Sequence, residues 1–508
     1  MESKPAPIRT TFSAFWRGCF PDRADLPLTL TVLAITLAGL LFRLAYLRQP
    51  VGFDEAYTYL AFSTQPIIHI FTDYSYPNNH IFHTLLVALT SRALGINAVW
   101  VMRLPALITG VLIIPAAYLA GRQVYNARAG MIAALLTAVA PQFINFSAEA
   151  RGYTLLCLAA LILVWLAARL LQQSHWSGWA VFCLTGILGA LTIPIMLYPL
   201  AAVFVWMVCE ILLRNGWKPF PIRALLPVFG SAALTFMGTI VVYLPVILYG
   251  TGYRSLTSNN FVAPEAWPVF WPDFINRLQN TWGSWYMDTS IVLAILSVIG
   301  FAVSLLLHRR GSSTRLHLAI PTVVVIFTIV IVQRVAPMPR IWQFLQGWFD
   351  LWVGAGLAWL LGLIPGGRWK HAPTLLLAAL TLFALADRTI QVSREAPKLS
   401  QPGVEESVAH LLKDQVHKGD LIVTVIPMST QIKYYYNQLD DYRSWFYNSG
   451  QNQTVSQVLV VVNAKYDETL ESNLSRNKLL DRVDMNQAVQ TAAYKQVVIY
   501  RIPILTAK

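Results

Sequence analysis

The sequence predicts a polytopic α-helical membrane protein of about 11 spans that ends in a small α/β domain. Three observations carry that prediction. Hydrophobic residues make up 56% of the 508 and charged residues only 12%, about half the charged share of an ordinary soluble domain. Apolar runs of near-spanning length recur from Leu26 to Ala386, separated by polar or basic turns. Beyond roughly residue 400 the pattern changes to short β-rich runs alternating with amphipathic stretches.

Charge placement sets the sidedness. The chain carries +13, yet Glu395 to Lys508 holds twelve basic and twelve acidic residues, so the excess belongs to the membrane part. There it follows one set of loops, as the positive-inside rule requires, which argues against nucleic acid as a partner. Residues 1–25, with Lys4, Arg9, Arg17 and Arg23, are expected to form a cytoplasmic leader. The first apolar run is long enough to span and has no clear small-residue cleavage site behind it, so it is read as an anchor. Cys19, Cys157, Cys183 and Cys209 lie in the leader or in apolar runs, without metal-ligand spacing. Neither a disulfide framework nor a cysteine metal site is expected.

The membrane domain is placed at residues 26–390. Leu26–Tyr46 crosses outward and delivers Asp54 and Glu55 to the far side. Residues 48–98 form a first outer segment, in which Glu55–Ser63 and Ile81–Leu94 read as interfacial helices: each has an apolar face broken by Thr, Ser, His or Arg. Leu104–Ala120 runs inward to a turn holding Arg122 and Arg128, and Ala129–Ile144 runs outward to Glu149 and Arg151. Tyr153–Leu171 returns, Trp179–Ile193 and Leu197–Leu213 go out and back, and Leu225–Leu248 exits to a Trp-rich second outer segment, residues 249–288. Its tryptophans (Trp267, Trp271, Trp282 and Trp285) read as an interface belt, with sugar stacking as the sharper alternative. Ile291–Leu307 re-enters to Arg309 and Arg310, Leu318–Val332 exits to Arg340, Ile341–Leu363 returns, and Ala372–Ala386 exits last.

Residues 391–508 are expected to form an extracytoplasmic α/β domain. Its strands are read at Leu421–Ile426, Val458–Val462 and Gln496–Ile502, with helices around Val404–Leu412, Ile432–Leu439 and Glu468–Leu480. It contains neither a glycine-rich phosphate loop nor an internal repeat.

The chemistry-bearing residues cluster on the outer side. Asp54 and Glu55 are either solvated loop carboxylates or, at a membrane edge, a general base and its support, since partial desolvation raises a carboxyl pKa. Asn78 and His80, in Tyr76-Pro77-Asn78-Asn79-His80, offer donors and acceptors for sugar hydroxyls or a phosphate; the plain alternative is a polar start to an interfacial helix. Glu149 and Arg151 are an ion pair at a helix start, or a phosphate-binding guanidinium with an orienting carboxylate. Arg340, between Pro339 and a span, repeats that choice against interface snorkelling. Arg43 is close enough to the outer end of its span to snorkel and is given little weight. A metal at Asp73, His80 and His83 is a weaker alternative without firm ligand spacing. No cofactor is assigned, and a divalent metal is left open.

In this order and on one side, the motifs resemble the GT-C membrane glycosyltransferases of the protein O-mannosyltransferase and aminoarabinose-transferase superfamily, in its bacterial mannosyltransferase-like branch. They are Asp54-Glu55, the Pro-Asn-Asn-His stretch, Arg103-Leu104-Pro105, Arg128-Ala129-Gly130 and Glu149-Ala150-Arg151-Gly152-Tyr153. The resemblance is best over residues 26–200, thins to residue 363 and does not reach the tail. It implies a GT-C fold in the cell (plasma or inner) membrane and inverting transfer of a sugar from a polyprenyl-phosphate donor to an acceptor hydroxyl. The acceptor would be a glycolipid, polysaccharide or protein, although no inserted lectin-like domain is visible. It also implies Asp54 as general base, Arg151 and Arg340 as cations for the leaving phosphate, and Glu55, His80, Glu149 and Tyr153 as positioning residues. A transporter or flippase of a lipid-linked substrate is the alternative of a different class; it would place ionisable residues in mid-span and break its helices.

Overall fold

The computed structural model describes residues 15–16, 26–96, 98–216, 219–258, 263–365, 367–417, 420–439 and 456–505. Apart from Phe15 and Trp16, the expected leader lies outside the described residues. The chain divides into two units: one runs through Arg48 and resumes over Gln65–Ala396, and the other combines Gln49–Thr64 with Pro397–Lys508.

In the membrane unit the helices are α1 (Leu26–Tyr46), α3 (Ile67–Thr72), α4 (Ile81–Leu94), α5 (Val99–Val124), α6 (Ala127–Val139), α7 (Pro141–Ser147), α8 (Tyr153–Leu170), α9 (Trp176–Thr192), α10 (Leu197–Asn215), α11 (Ile222–Tyr249), α12 (Tyr253–Thr257), α13 (Trp267–Trp285), α14 (Ile291–Gly311), α15 (Ala319–Gln333), α16 (Gln343–Gly362) and α17 (Ala372–Leu399). Every stretch read as a span is helical, because in lipid the backbone must satisfy its own hydrogen bonds. By length and composition seven of these helices can cross a membrane, or eight if the bent pair α6 and α7 counts as one. The figure of about 11 thus exceeds what length and apolarity alone support: α9 and α15 are apolar but shorter, and α16 carries Asp350.

The bend between α6 and α7 is 59°, and its cause is chemical. Pro141 lacks the N–H that would bond the Thr137 carbonyl, so the ladder breaks there. Arg43, wholly buried on α1, closes the gap. Its Nη2 donates to Thr137 O at 3.3 Å and its Nη1 to Ala138 O at 3.2 Å. Its Nε donates to Ser147 Oγ at 3.0 Å, at the far end of α7. The structure therefore corrects the snorkelling reading of Arg43. The hydroxyl of Thr137 in turn donates to Asp350 Oδ2 at 3.2 Å, inside α16.

Small residues let the central helices touch. A Cβ placed on Gly356 of α16 would lie 1.8 Å from the Gly300 carbonyl oxygen of α14, so this crossing requires glycine. The basic end of the unit is tied down by Glu210, a fully buried carboxylate on α10. It accepts from Arg214 Nε at 2.6 Å and from the backbone N–H of Arg315 at 2.8 Å and Leu316 at 2.9 Å, which fixes the α14–α15 loop. At the other end α13 holds the segment that leads to Arg340. Glu265 N donates to Arg334 O at 2.8 Å, Arg277 Nη1 donates to Ala336 O at 2.5 Å, and Asp273 pairs with Arg277 at 2.6 Å.

The second unit holds α2 (Phe53–Thr58), a π-helical turn (Tyr59–Ser63), α18 (Val404–Gln415), β1 (Asp420–Val423), α19 (Met428–Leu439), β2 (Gln457–Asn463), α20 (Leu470–Arg476), β3 (Val489–Tyr494) and β4 (Val497–Pro503). The sheet order is β1-β2-β4-β3, with β1 parallel to β2 and the other pairs antiparallel. Val423, Val458, Val460, Val462, Leu474 and Ile502 form its core. The α/β reading of the tail holds, with one added strand: β3 is mostly exposed and lacks apolar alternation, so nothing in its sequence marks it. The segment read as part of the first outer loop is bound into this unit. Val51 N donates to the Tyr435 hydroxyl at 2.8 Å, and Gln431 Nε2 donates to Val51 O at 2.9 Å. The Tyr59 and Tyr434 rings meet edge to face at 5.5 Å.

Candidate active site

In the second unit, Asp54 and Glu55 occupy the first turn of α2, where backbone N–H groups favour negative charge. Glu55 is buried, and its Oε1 accepts the Gly52 N–H at 2.8 Å. This is the reach-back half of a capping box; Gly52 has no side chain to supply the other half. Asp54 is half-buried, and its backbone carbonyl accepts from the Thr58 hydroxyl at 2.8 Å. The Glu55 carboxylate thus starts the helix. A π-helical turn follows directly, a distortion often found beside functional residues.

In the membrane unit, the loop before α4 meets the loop before α8. His80 is the residue before α4, Gly152 the residue before α8, and Gly152 N donates to His80 Nδ1 at 2.9 Å. Since Nδ1 accepts, the neutral ring carries its hydrogen on Nε2. That nitrogen lies 3.3 Å from Arg151 Nη2. The His80 Nε2–H and the Arg151 guanidinium are therefore neighbouring donors. His80 is held neutral: burial pushes its pKa well below the usual histidine range, and the charges of Arg151 and Arg340 and the neighbouring His83 add to that. Burial also brings His83 down to about 3, with Arg151 as the second cause.

Arg151 is buried, and its Nη1 donates to the Asn78 carbonyl at 3.4 Å. Its guanidinium lies 5.6 Å from the centre of the Tyr153 ring, which meets the His80 ring edge to face at 5.2 Å. Gly152 permits this junction. A Cβ there would sit 2.6 Å from Thr192 Cγ2 and 3.1 Å from His80 Nδ1. Glu149 is half-buried two residues earlier, and its carbonyl accepts the Arg151 N–H at 2.7 Å.

Of the residues selected from sequence, the structure brings Asn78, His80, Arg151 and Tyr153 into one buried cluster, with the Arg340 charge acting on His80. Asp54 and Glu55 belong to the other unit. Sequence reading gave no separate role to Gly152, whose only visible signal was its place in the Glu149–Tyr153 block. Asp350 went unmarked although it is an acidic residue inside an apolar run. Among the described residues no group of three or more His, Cys, Asp or Glu side chains could hold a metal. Asp73 instead pairs with His69 at 3.2 Å.

Comparison with known proteins follows the same lines. Residues 79–218 match the family model described as dolichyl-phosphate-mannose-protein mannosyltransferase. That stretch contains His80, Glu149, Arg151 and Tyr153 and begins after Asp54 and Glu55. No curated protein sequence matches the chain. Among solved structures the fold is similar to ArnT from Cupriavidus metallidurans bound to undecaprenyl phosphate. The TM-score is 0.57 at 12% identity, over 94% of this chain and 98% of that one. It is also similar to the archaeal oligosaccharyltransferase AglB from Archaeoglobus fulgidus, in complex with an inhibitory peptide and a dolichol-phosphate. There the TM-score is 0.50 at 13% identity, over 93% of this chain and 76% of that one. The chain is a multi-pass membrane protein with the GT-C glycosyltransferase fold, the fold implied by its motifs.

Proposed function

We propose that the protein is an inverting glycosyltransferase that moves a hexosyl or pentosyl group from a polyprenyl-phosphate donor to an acceptor hydroxyl at the outer face of the cell membrane. The observation that carries this reading is the pair of buried donors, Arg151 Nη2 and His80 Nε2, 3.3 Å apart, with the histidine nitrogen made a donor by the Gly152 N–H on the other side of the ring. Such a pair suits a phosphate oxygen whose charge grows as the glycosidic bond breaks. The likeness to a chain solved with undecaprenyl phosphate supports the donor class.

In the proposed reaction Asp54 takes the proton of the acceptor hydroxyl. The acceptor oxygen bonds to the anomeric carbon from the face opposite the phosphate, and the carbon–oxygen bond to the phosphate breaks. The polyprenyl phosphate leaves with both bonding electrons. Arg151, the His80 N–H and Arg340 stabilise its charge, so the leaving group needs no proton donor. Glu149, Tyr153 and Asn78 shape the donor site, and Glu55 holds the helix turn that carries Asp54. The acceptor is a glycolipid, polysaccharide or protein, the amino terminus is cytoplasmic and the α/β domain extracytoplasmic.

The test is transfer from polyprenyl-phosphate sugars by purified protein, with Asp54→Asn beside wild type. Loss of transfer by the variant with donor binding retained is expected; transfer at the wild-type rate would remove Asp54 from the role. One observation favours a second reading. Arg43, Thr137 and Asp350 form a buried polar chain beside a broken helix, as a transporter of lipid-linked substrates would have. Movement of such a lipid across proteoliposomes without covalent transfer would favour that reading.

A further inference from the structure

The opposite end of the spans carries a second feature. The turn between α5 and α6, the start of α6 and the ends of α14 and α16 line an open cavity of about 500 Å3. Arg128 lines it from α6, Arg310 and Gly311 from α14, and Trp359 and Leu363 from the end of α16. The 20 residues of α16 rise roughly 30 Å, so this cavity is remote from Arg340 at the other end of that helix.

Both arginines are exposed at the cavity wall. Asn126, also in the lining, is engaged as the cap of α6, its side chain accepting the Ala129 N–H at 3.0 Å. Glu210, a carboxylate at this end, is engaged by Arg214 and by the backbone of Arg315 and Leu316. The cationic wall faces an apolar one. Ala358, Trp359 and Leu363 follow one another along little more than a turn of α16, and Leu363 is 59% exposed. A ligand matching this lining has an anionic head and an apolar body.

We propose that the cavity binds the phosphate headgroup of an anionic phospholipid from the adjoining leaflet. Arg128 and Arg310 contact the phosphate, and Trp359 and Leu363 pack against the glycerol and the first methylenes. Basic recesses between helix ends suit such headgroups, and guanidinium forks match phosphate oxygens. A tryptophan at this depth is at home in the membrane interface.

The test uses the full-length protein, equilibrated with equimolar phosphatidylglycerol and phosphatidylcholine vesicles and read for retained lipid by native mass spectrometry. Wild type should retain phosphatidylglycerol in preference. Each arginine should contribute about fivefold, so Arg128→Gln with Arg310→Gln should lower retention roughly 25-fold. Arg309→Gln, exposed but outside the lining, should leave it unchanged. The double lysine variant keeps both charges and should retain most of the lipid, which separates loss of binding from loss of fold. Unchanged retention in the double glutamine variant overturns the proposal. So does an equal loss in Arg309→Gln, which would mean diffuse attraction, or displacement by inorganic phosphate at matched concentration, which would assign the cavity to a free anion.

Discussion

His80 Nδ1 accepts the N–H of Gly152 at 2.9 Å, and that bond leaves the other ring nitrogen as a donor beside Arg151. Two substitutions divide these roles. In His80→Asn the amide oxygen can still accept from Gly152, but the Nε2 donor is gone. In His80→Gln the amide nitrogen reaches the Nε2 position. The asparagine variant should fold and lose about tenfold in kcat/KM for the lipid-linked donor, the value of one charge-assisted hydrogen bond. The glutamine variant should lose less. Equal loss in both would detach the Nε2 donor from donor recognition.

Asp54 and Glu55 should respond differently to the same chemistry. Asp54→Asn should lower kcat about 10²- to 10⁴-fold, the range of general base catalysis, with little change in thermal stability. Glu55→Gln keeps an oxygen for the Gly52 N–H and should retain most activity. Glu55→Ala loses that bond and should cost about 1 kcal/mol of stability. A Glu55→Gln variant as inactive as Asp54→Asn would give the buried carboxylate a chemical role as well.

The two buried histidines predict acid sensitivity. Both have folded pKa values below the ordinary 6.5, with His83 at about 3. Below pH 6.5 the unfolded chain therefore binds protons that the folded chain refuses. Stability falls as pH drops from about 6.5 toward 3, by about 1 kcal/mol per pH unit for each group. Thermal melts in detergent should show this slope, and His83→Phe should reduce it by one proton. A slope unchanged in that variant would mean that His83 is not the group responsible.

Arg43→Leu should destabilise the membrane unit by about 3 kcal/mol, since it leaves the Thr137 and Ala138 carbonyls unmet in a buried setting. Pro141→Ala restores an N–H four residues after Thr137. Adding it to Arg43→Leu should recover part of the loss, and a double-mutant cycle of melting temperatures measures how much. Strict additivity would show that the arginine and the proline break are unrelated.

These cases show how far the sequence can be read. The spans were legible as helices because an apolar run of this length has few alternatives. Arg43 was misjudged because its partners lie on another helix, at a break caused by Pro141. Distance along α1 says only that the side chain is near an end. Asp350 was passed over for a related reason, its partner Thr137 being an unremarkable residue of a distant helix. β3 was hidden because Val489–Tyr494 is an exposed edge strand without a buried face. The binding of Gln49–Thr64 to the C-terminal unit depends on Gln431 and Tyr435, hundreds of residues away. At the site, the residue types were legible, but the tautomer of His80 was not. It follows from a backbone N–H, which every residue but proline possesses.

The Arg43 clamp also has a consequence in time. Its acceptors at Thr137 and Ala138 lie 94 and 95 residues further along the chain. At ordinary translation rates they emerge roughly 5–20 s after the arginine. Through that interval α1 itself offers the Gly39 carbonyl, at 2.9 Å in the finished fold, and the headgroup region lies within reach of a long side chain. The clamp on α1 can close only after the bent pair α6 and α7 has been made through Ser147, so the first span owes its final packing to a segment that is translated later.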